Sequence, residues 1–210
     1  MVEQSPAQAV TSRQLQAQAR REQIIEAAIT LFAQQGFDGT STRQIASAVG
    51  VTEGLIFHYF PTKADLVRAA LESRHGFIIK LREILADAEG RPVSEILPQV
   101  AATWLVTLRA ETAIATVLFG AALTHEQIGA ALQGVIREGI GRLAAYLRTR
   151  IQAGELRQDL PAETSAQMFI APLMIFFFTH RTLSDDEWNQ QGAVFTEELF
   201  AVWLEGARAT

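Results

Sequence analysis

The chain has 210 residues, 49% of them hydrophobic and 20% charged, the make-up of a globular protein with a sizeable core. It contains no cysteine, which excludes a disulfide framework, a thiolate metal site and a cysteine nucleophile. The net charge of −5 arises beyond residue 75, because the first 75 residues hold seven Lys/Arg and seven Asp/Glu. A polyanionic partner would have to be met by cations gathered on one face. Residues 1–19, rich in Gln and Ala, lack the apolar centre of a secretory signal and are expected to form a flexible arm. The longest apolar block, 168–178, falls short of the roughly 20 residues that a bilayer crossing needs. A cytoplasmic protein without a membrane partner is expected.

Helical periodicity runs through the sequence, and alternating β-branched runs are absent. In the first helix Ile24, Ile25, Ala28, Leu31 and Phe32 recur at spacings of three and four, and Gly36 ends it. Ser41 or Thr42 caps a second helix with Ile45, Ala46 and Val49 on its inner face, and Gly50 stops it. Thr52 caps a third, short helix over 53–60, and Pro61 breaks it. Thr62 caps a fourth with Leu66, Val67, Ala70 and Leu71, reaching about Arg74. After the break at Gly90-Arg91-Pro92, helices are expected over 94–108, 111–123, 126–153 and 162–181. A last helix follows Asp185 and Asp186, with Trp188, Phe195, Leu199, Val202 and Trp203 on one stripe. The fold class is all-α: a three-helix helix-turn-helix domain over 20–76, joined to a helical ligand-binding and dimerisation domain over 77–210.

Residues 41–60 spell helix, glycine turn and capped helix. Ile45, Val49, Val51, Ile56 and Phe60 form the shared core, which leaves Gly54, Leu55, Phe57 and His58 outward. A helix showing Leu, Phe and His to water is poorly matched to it. A DNA major groove, with its thymine methyls and sugars, suits such a face better. Thr42, Thr52 and the helix starts are natural phosphate anchors.

From about Arg21 to Leu71 these residues resemble the DNA-binding domain of tetracycline-repressor-like (TetR family) regulators. The segments that carry the resemblance are Ile24-Ile25-Glu26-Ala27-Ala28 to Phe32, Gly36-Phe37, Thr42 to Val51, and Leu55 to Lys63 with Leu66. The resemblance implies that Thr42, Arg43, Thr52, Gly54, Phe57, His58, Tyr59 and Lys63 touch DNA. Glu53 departs from the family pattern, which commonly has a basic or neutral residue there. It either accepts from a cytosine amino group or suits the positive helix start.

Two features of the second domain suggest its tasks. Residues 168–178 are apolar on every side of their helix, and the preceding helix carries Ala130, Ala131, Gly134, Gly141 and Ala145. These read as a four-helix interface of a two-fold homodimer, with Ile136, Leu147, Phe169, Leu173 and Phe177 at the contact. The span 96–136 holds three charged residues among forty-one, suited to walling an apolar ligand site. Trp104, Leu108, Phe119, Leu123, Met168, Pro172 and Phe176 are the candidate lining. No catalytic constellation, metal site or cofactor motif is present, and no enzyme is expected. The expected function is a repressor that binds a palindromic double-stranded DNA operator and is released by a lipophilic small molecule. The alternative is a small-molecule-binding or scaffold module whose helix-turn-helix does not bind DNA.

Overall fold

The computed structural model describes residues 12–73 and 76–209. Among these residues every regular element is a helix, and one isolated antiparallel bridge pairs Leu156 with Arg208. In chain order the helices are α1 Ser12–Gly39, α2 Thr42–Ala48, α3 Glu53–Tyr59, α4 Lys63–Ser73, α5 Gly76–Ala86, α6 Val93–Ala110, α7 Thr112–Thr124, α8 Glu126–Gln152, α9 Ala162–His180 and α10 Asp185–Ala207. They divide into two compact units, residues 1–73 and 74–210. The expected arm over 1–19 is helical from Ser12 onward, and residues 1–11 lie outside the described residues, as does Arg74. Sequence patterning assigned no separate helix to 76–86, where α5 buries Phe77, Ile78, Leu81 and Ile84.

In the first unit α1 packs against α2 and α4, and α2 packs against α3. Its core is Ile24, Ile25, Ala28, Phe32, Ile45, Ile56 and Leu66, each 1% exposed or less. Gly36, at φ +75°, breaks the helical path of α1, a conformation that costs residues with a Cβ. The buried Thr40 hydroxyl then donates to the carbonyls of Leu31 and Gly36, at 3.1 and 2.9 Å.

In the second unit α8 packs against α5, α7 and α9, while α6 packs against α5, α9 and α10. Leu97, Val100, Leu143, Leu147, Phe169, Leu173, Phe177 and Trp188 fill the space between them. Two glycines permit close approach: a Cβ on Gly139 would stand 3.2 Å from Ile78 Cδ1, and one on Gly192 3.1 Å from Leu105 Cδ1. α6 and α7 meet at 91°. Pro92 gives α6 no side-chain cap, and the Glu155 carboxylate takes that place by accepting from the Val93 amide at 2.8 Å. The Tyr146 hydroxyl donates to the Arg91 carbonyl at 2.9 Å, fixing the turn before α6 on α8. Arg109 donates to the carbonyls of Arg181 and Leu183, pairs with Asp185 and lies over the Trp188 ring. It thereby closes the α9–α10 turn on the end of α6.

Candidate DNA-binding site

Local chemistry sets both helices of the motif. Ser41 accepts from the Gln44 amide while the Gln44 side chain accepts from the Ser41 amide, a reciprocal cap that starts α2. Gly50, at φ +67°, makes the turn, and the Thr52 side chain accepts from the Leu55 amide to start α3. Thr62 and Asp65 repeat the reciprocal cap at the head of α4. The Thr62 hydroxyl and the Arg68 guanidinium hold the Asp65 carboxyl below its ordinary range. Ile45, Ala46, Ile56 and Phe60 are buried at the junction, whereas Val49 and Val51 are half-buried.

The outward surface of the motif is mixed. Phe57 is 46% exposed, and Thr52, Gly54, His58 and Arg43 are also exposed. Leu55 and Tyr59 are half-buried, Tyr59 lying edge-on to the His58 ring at 5.4 Å and tilted against Phe60 at 6.3 Å. Phe57 and His58 are thus adjacent exposed rings on α3, while Ile56 between Leu55 and Phe57 turns into the core.

Two charged residues have partners that the sequence does not show, and Glu53 stands in the first turn of α3 as one of its two readings has it. The Lys63 ammonium donates to the carbonyls of Phe37, at 2.7 Å, and Thr40, at 3.0 Å, and lies 4.2 Å from the Phe37 ring centre. Two of its three protons therefore hold the turn between α1 and α2, so it is not a cation held out solely for phosphate. Glu53 Oε1 accepts from the Thr42 hydroxyl at 2.5 Å, linking the first residue of α3 to the first residue of α2. Thr42 is thereby engaged within the motif as well. Thr40, Gln44 and Asp65, which shape the site, escaped the sequence reading. The Ser-x-x-Gln spacing of 41–44 and the Thr-x-x-Asp spacing of 62–65 were the signals available for two of them.

Residues 24–70 match the family model described as bacterial regulatory proteins, tetR family. The transcriptional repressor NicS of Pseudomonas putida is 30% identical over 180 residues, covering 82% of each chain. The transcriptional regulator AcrR of Shigella flexneri is 31% identical over 157 residues, 72% of this chain and 73% of that one. The chain belongs to the TetR family. It is a DNA-binding transcriptional regulator, as the family model and these relatives are. The fold extends over both units. The crystal structure of FadR from Bacillus subtilis in complex with stearoyl-CoA matches with a TM-score of 0.69 at 19% identity, covering 88% of this chain and 98% of that one.

For the second unit of this TetR-family chain, the expected dimer contacts need correction. Leu147, Phe169, Leu173 and Phe177 are fully buried in the unit's own core and present nothing to a partner; Ile136 alone of the five is exposed, at 43%. The small residues of α8 face outward at Ala130, Gly134, Gly141 and Ala145, while Ala144 is buried in the core. The outward apolar surface is instead on α9 and α10, with Met168, Ile175, Val194 and Val202 all more than half exposed. α9 is long and apolar enough to cross a membrane by length and composition, and it buries Phe169, Leu173, Phe176 and Phe177 inside the unit.

The seven expected ligand-lining residues do not converge. Met168, Pro172 and Phe176 line an open groove of about 900 Å³ between α9 and α10, with Ile175, Val194 and Phe195. Leu123, at the end of α7, is 89% exposed and lies outside that groove. Trp104, Leu108 and Phe119 are half-buried against the core. Trp104 packs edge-on against Phe77 at 4.1 Å and Phe119 against Phe178 at 5.2 Å. The Trp104 Nε1 donor is buried without a partner. Pro172 sits inside a continuous α9.

Proposed function

We propose that this regulator acts in the cytoplasm as a homodimer whose two α3 helices bind a palindromic operator, and that it represses until a largely apolar small molecule releases it. The observation that carries the DNA contact is the exposed Phe57–His58 surface of α3, on a capped helix-turn-helix whose core is otherwise closed. Arg43, Thr52, Gly54, Leu55 and Tyr59 complete that face, and Phe57 supplies apolar contact to thymine methyls. Two-fold symmetry in the protein asks for two-fold symmetry in the operator, with half-sites about one helical turn apart.

The groove between α9 and α10 supports the dimer. Contiguous exposed apolar residues on two long helices are the mark of an interface, and pairing the same face of a second copy makes a four-helix contact. The effector site belongs elsewhere in the second unit, at Trp104, Leu108 and Phe119 on α6 and α7. The unpartnered Trp104 Nε1 supports it, because a buried donor without an acceptor costs about 1–3 kcal/mol that a ligand oxygen could recover. FadR is seen with stearoyl-CoA; a lipophilic effector here follows the same direction. Filling the site shifts the spacing of the two α3 helices, with a coupling of about 1–3 kcal/mol.

The test is selection of DNA fragments by the purified full-length protein, followed by titration of the selected DNA at several salt concentrations. A palindrome bound with a steep salt slope is expected, and Phe57→Ala should weaken it by about 1–3 kcal/mol while leaving non-specific binding nearly unchanged. A hydrophobic compound that quenches tryptophan fluorescence should lower operator affinity by the factor by which operator lowers its own. A folded protein that shifts no DNA at low salt refutes the reading.

A further inference from the structure

We propose that Glu53 is a base-reading residue, its carboxylate selecting operators that present an exocyclic amino group, cytosine first, to the start of α3. This rests on the DNA-binding reading above and names the sequence feature that the surface would choose. Glu53 opens the second helix of the motif, and the N-terminal residues of that helix are the ones that meet base edges in a major groove. Its hydrogen bond is to Thr42 on the neighbouring helix, while the Leu55 amide at the start of α3 is satisfied by Thr52. The carboxylate is therefore not spent on capping its own helix. Tied through Oε1 to Thr42, it is held relative to α2 and α3 together, and Oε2 keeps its lone pairs for another donor.

The chemistry of that oxygen decides the base. A carboxylate is acceptor-only, so it can receive from cytosine N4 or adenine N6 and is repelled by guanine O6 and N7 and by thymine O4. Adenine sets an N7 acceptor beside its amino group, whereas the cytosine edge offers its donor alone, and cytosine is favoured. The electrostatics point the same way. α2 and α3 carry one cation, Arg43, and one anion, Glu53. A carboxylate brought up to phosphates weakens binding to every sequence alike, and a contact with a base amino group offsets that loss at one sequence only. An acid in this place sharpens choice at the expense of overall affinity.

The experiment is enrichment of randomised double-stranded DNA by the full-length protein and by Glu53→Gln, Glu53→Ala and Thr42→Val, each checked by thermal melting without DNA. The wild-type protein is expected to enrich cytosine about tenfold at one symmetric pair of positions, the order of a single base-edge contact. Glu53→Gln retains an acceptor for Thr42 and adds donors, so the preference moves towards adenine with melting unchanged. Glu53→Ala levels that position, leaves the others as they were and tightens non-specific binding. Thr42→Val frees the carboxylate and weakens the cytosine preference without erasing it. The inference is overturned if Glu53→Ala and Glu53→Gln keep the wild-type base preference everywhere, or if the position they change prefers guanine or thymine. It is equally overturned if Thr42→Val and Glu53→Ala lower melting and affinity for all sequences alike, which is the behaviour of a structural latch. Enrichment of no sequence by the wild-type protein would sink the DNA-binding reading itself; enrichment that ignores Glu53 sinks this inference alone.

Discussion

Replacing Lys63 with methionine keeps the length of the side chain and removes its ammonium. The structure assigns that group two carbonyl acceptors, Phe37 at 2.7 Å and Thr40 at 3.0 Å, and a position over the Phe37 ring. Hydrogen bonds to a charged donor are worth about 1.5–3 kcal/mol each when well enclosed. Lys63 is only half-buried, so water can reach the vacated carbonyls and the lower end applies. With the ring contact adding about 0.5 kcal/mol and rehydration taking part of the total back, a net loss of about 2 kcal/mol is expected. In a chain of this size that lowers the melting temperature by roughly 4–8 °C, without any DNA present. A residue whose sole work was to touch phosphate would behave otherwise: melting would be unchanged, and the salt slope of operator binding would flatten by about one unit per site. Differential scanning fluorimetry of Lys63→Met against wild type, paired with operator titrations at several salt concentrations, separates the two. Unchanged melting together with the flattened slope would refute the clamp.

The remaining expectations concern the second unit and the pH response. Ile175→Glu or Val194→Glu, on the exposed α9–α10 face, should give folded monomers on sedimentation and weak operator binding, whereas Phe177→Glu, inside the core, should lose helical circular dichroism. Tyr146→Phe removes one hydrogen bond to the Arg91 carbonyl, which keeps Arg150 as a second donor, so urea unfolding should show a loss of about 1 kcal/mol or less. Burial pushes the Tyr146 phenol up to about 12, so its contribution is present below the ordinary tyrosine range and fades as pH rises through that value. Arg82 and Arg142 hold the Glu138 carboxyl below its ordinary range, as Thr62 and Arg68 do for Asp65. Both contributions exist above the unfolded carboxylate range and are lost as pH falls through the lowered values. Glu138→Gln and Asp65→Asn should therefore flatten the fall of melting temperature under acid, and an unaltered pH profile would contradict the assignment.

The parts of the molecule legible in its sequence are those decided within a few residues. Ser41, Gly50, Thr52 and Pro61 act on their own turn of backbone, and α2, α3 and the head of α4 begin and stop where these residues put them. The long helices were legible for a related reason, since a spacing of three and four needs no knowledge of the partner. Which face of an apolar helix turns inward does need it. Residues 168–178 are apolar all round, and nothing local distinguishes Phe169, Leu173 and Phe177, which are buried with Trp203 and Trp188 of α10 against two of them, from Met168 and Ile175, which are left bare. Along α8, Ile136, Leu143 and Leu147 recur at helical spacing, yet Leu143 and Leu147 are buried and Ile136 is exposed, because a straight helix drifts about 20° per seven residues relative to such a stripe.

Charges obey the same limit more strictly. Lys63 looked available for phosphate because sequence gives a sign and a position, but its acceptors lie 23 and 26 residues earlier. Glu53 looked anomalous on a DNA-facing helix until its hydroxyl partner on α2 appeared. In both cases the partner, not the charge, sets the role. The Lys63 ammonium spends two protons on carbonyls of the α1–α2 turn, and the Glu53 carboxylate is tied to Thr42 through one oxygen. The shape of the surface that α3 exposes therefore rests on a partner outside α3, with Thr42 of α2 fixing its first residue.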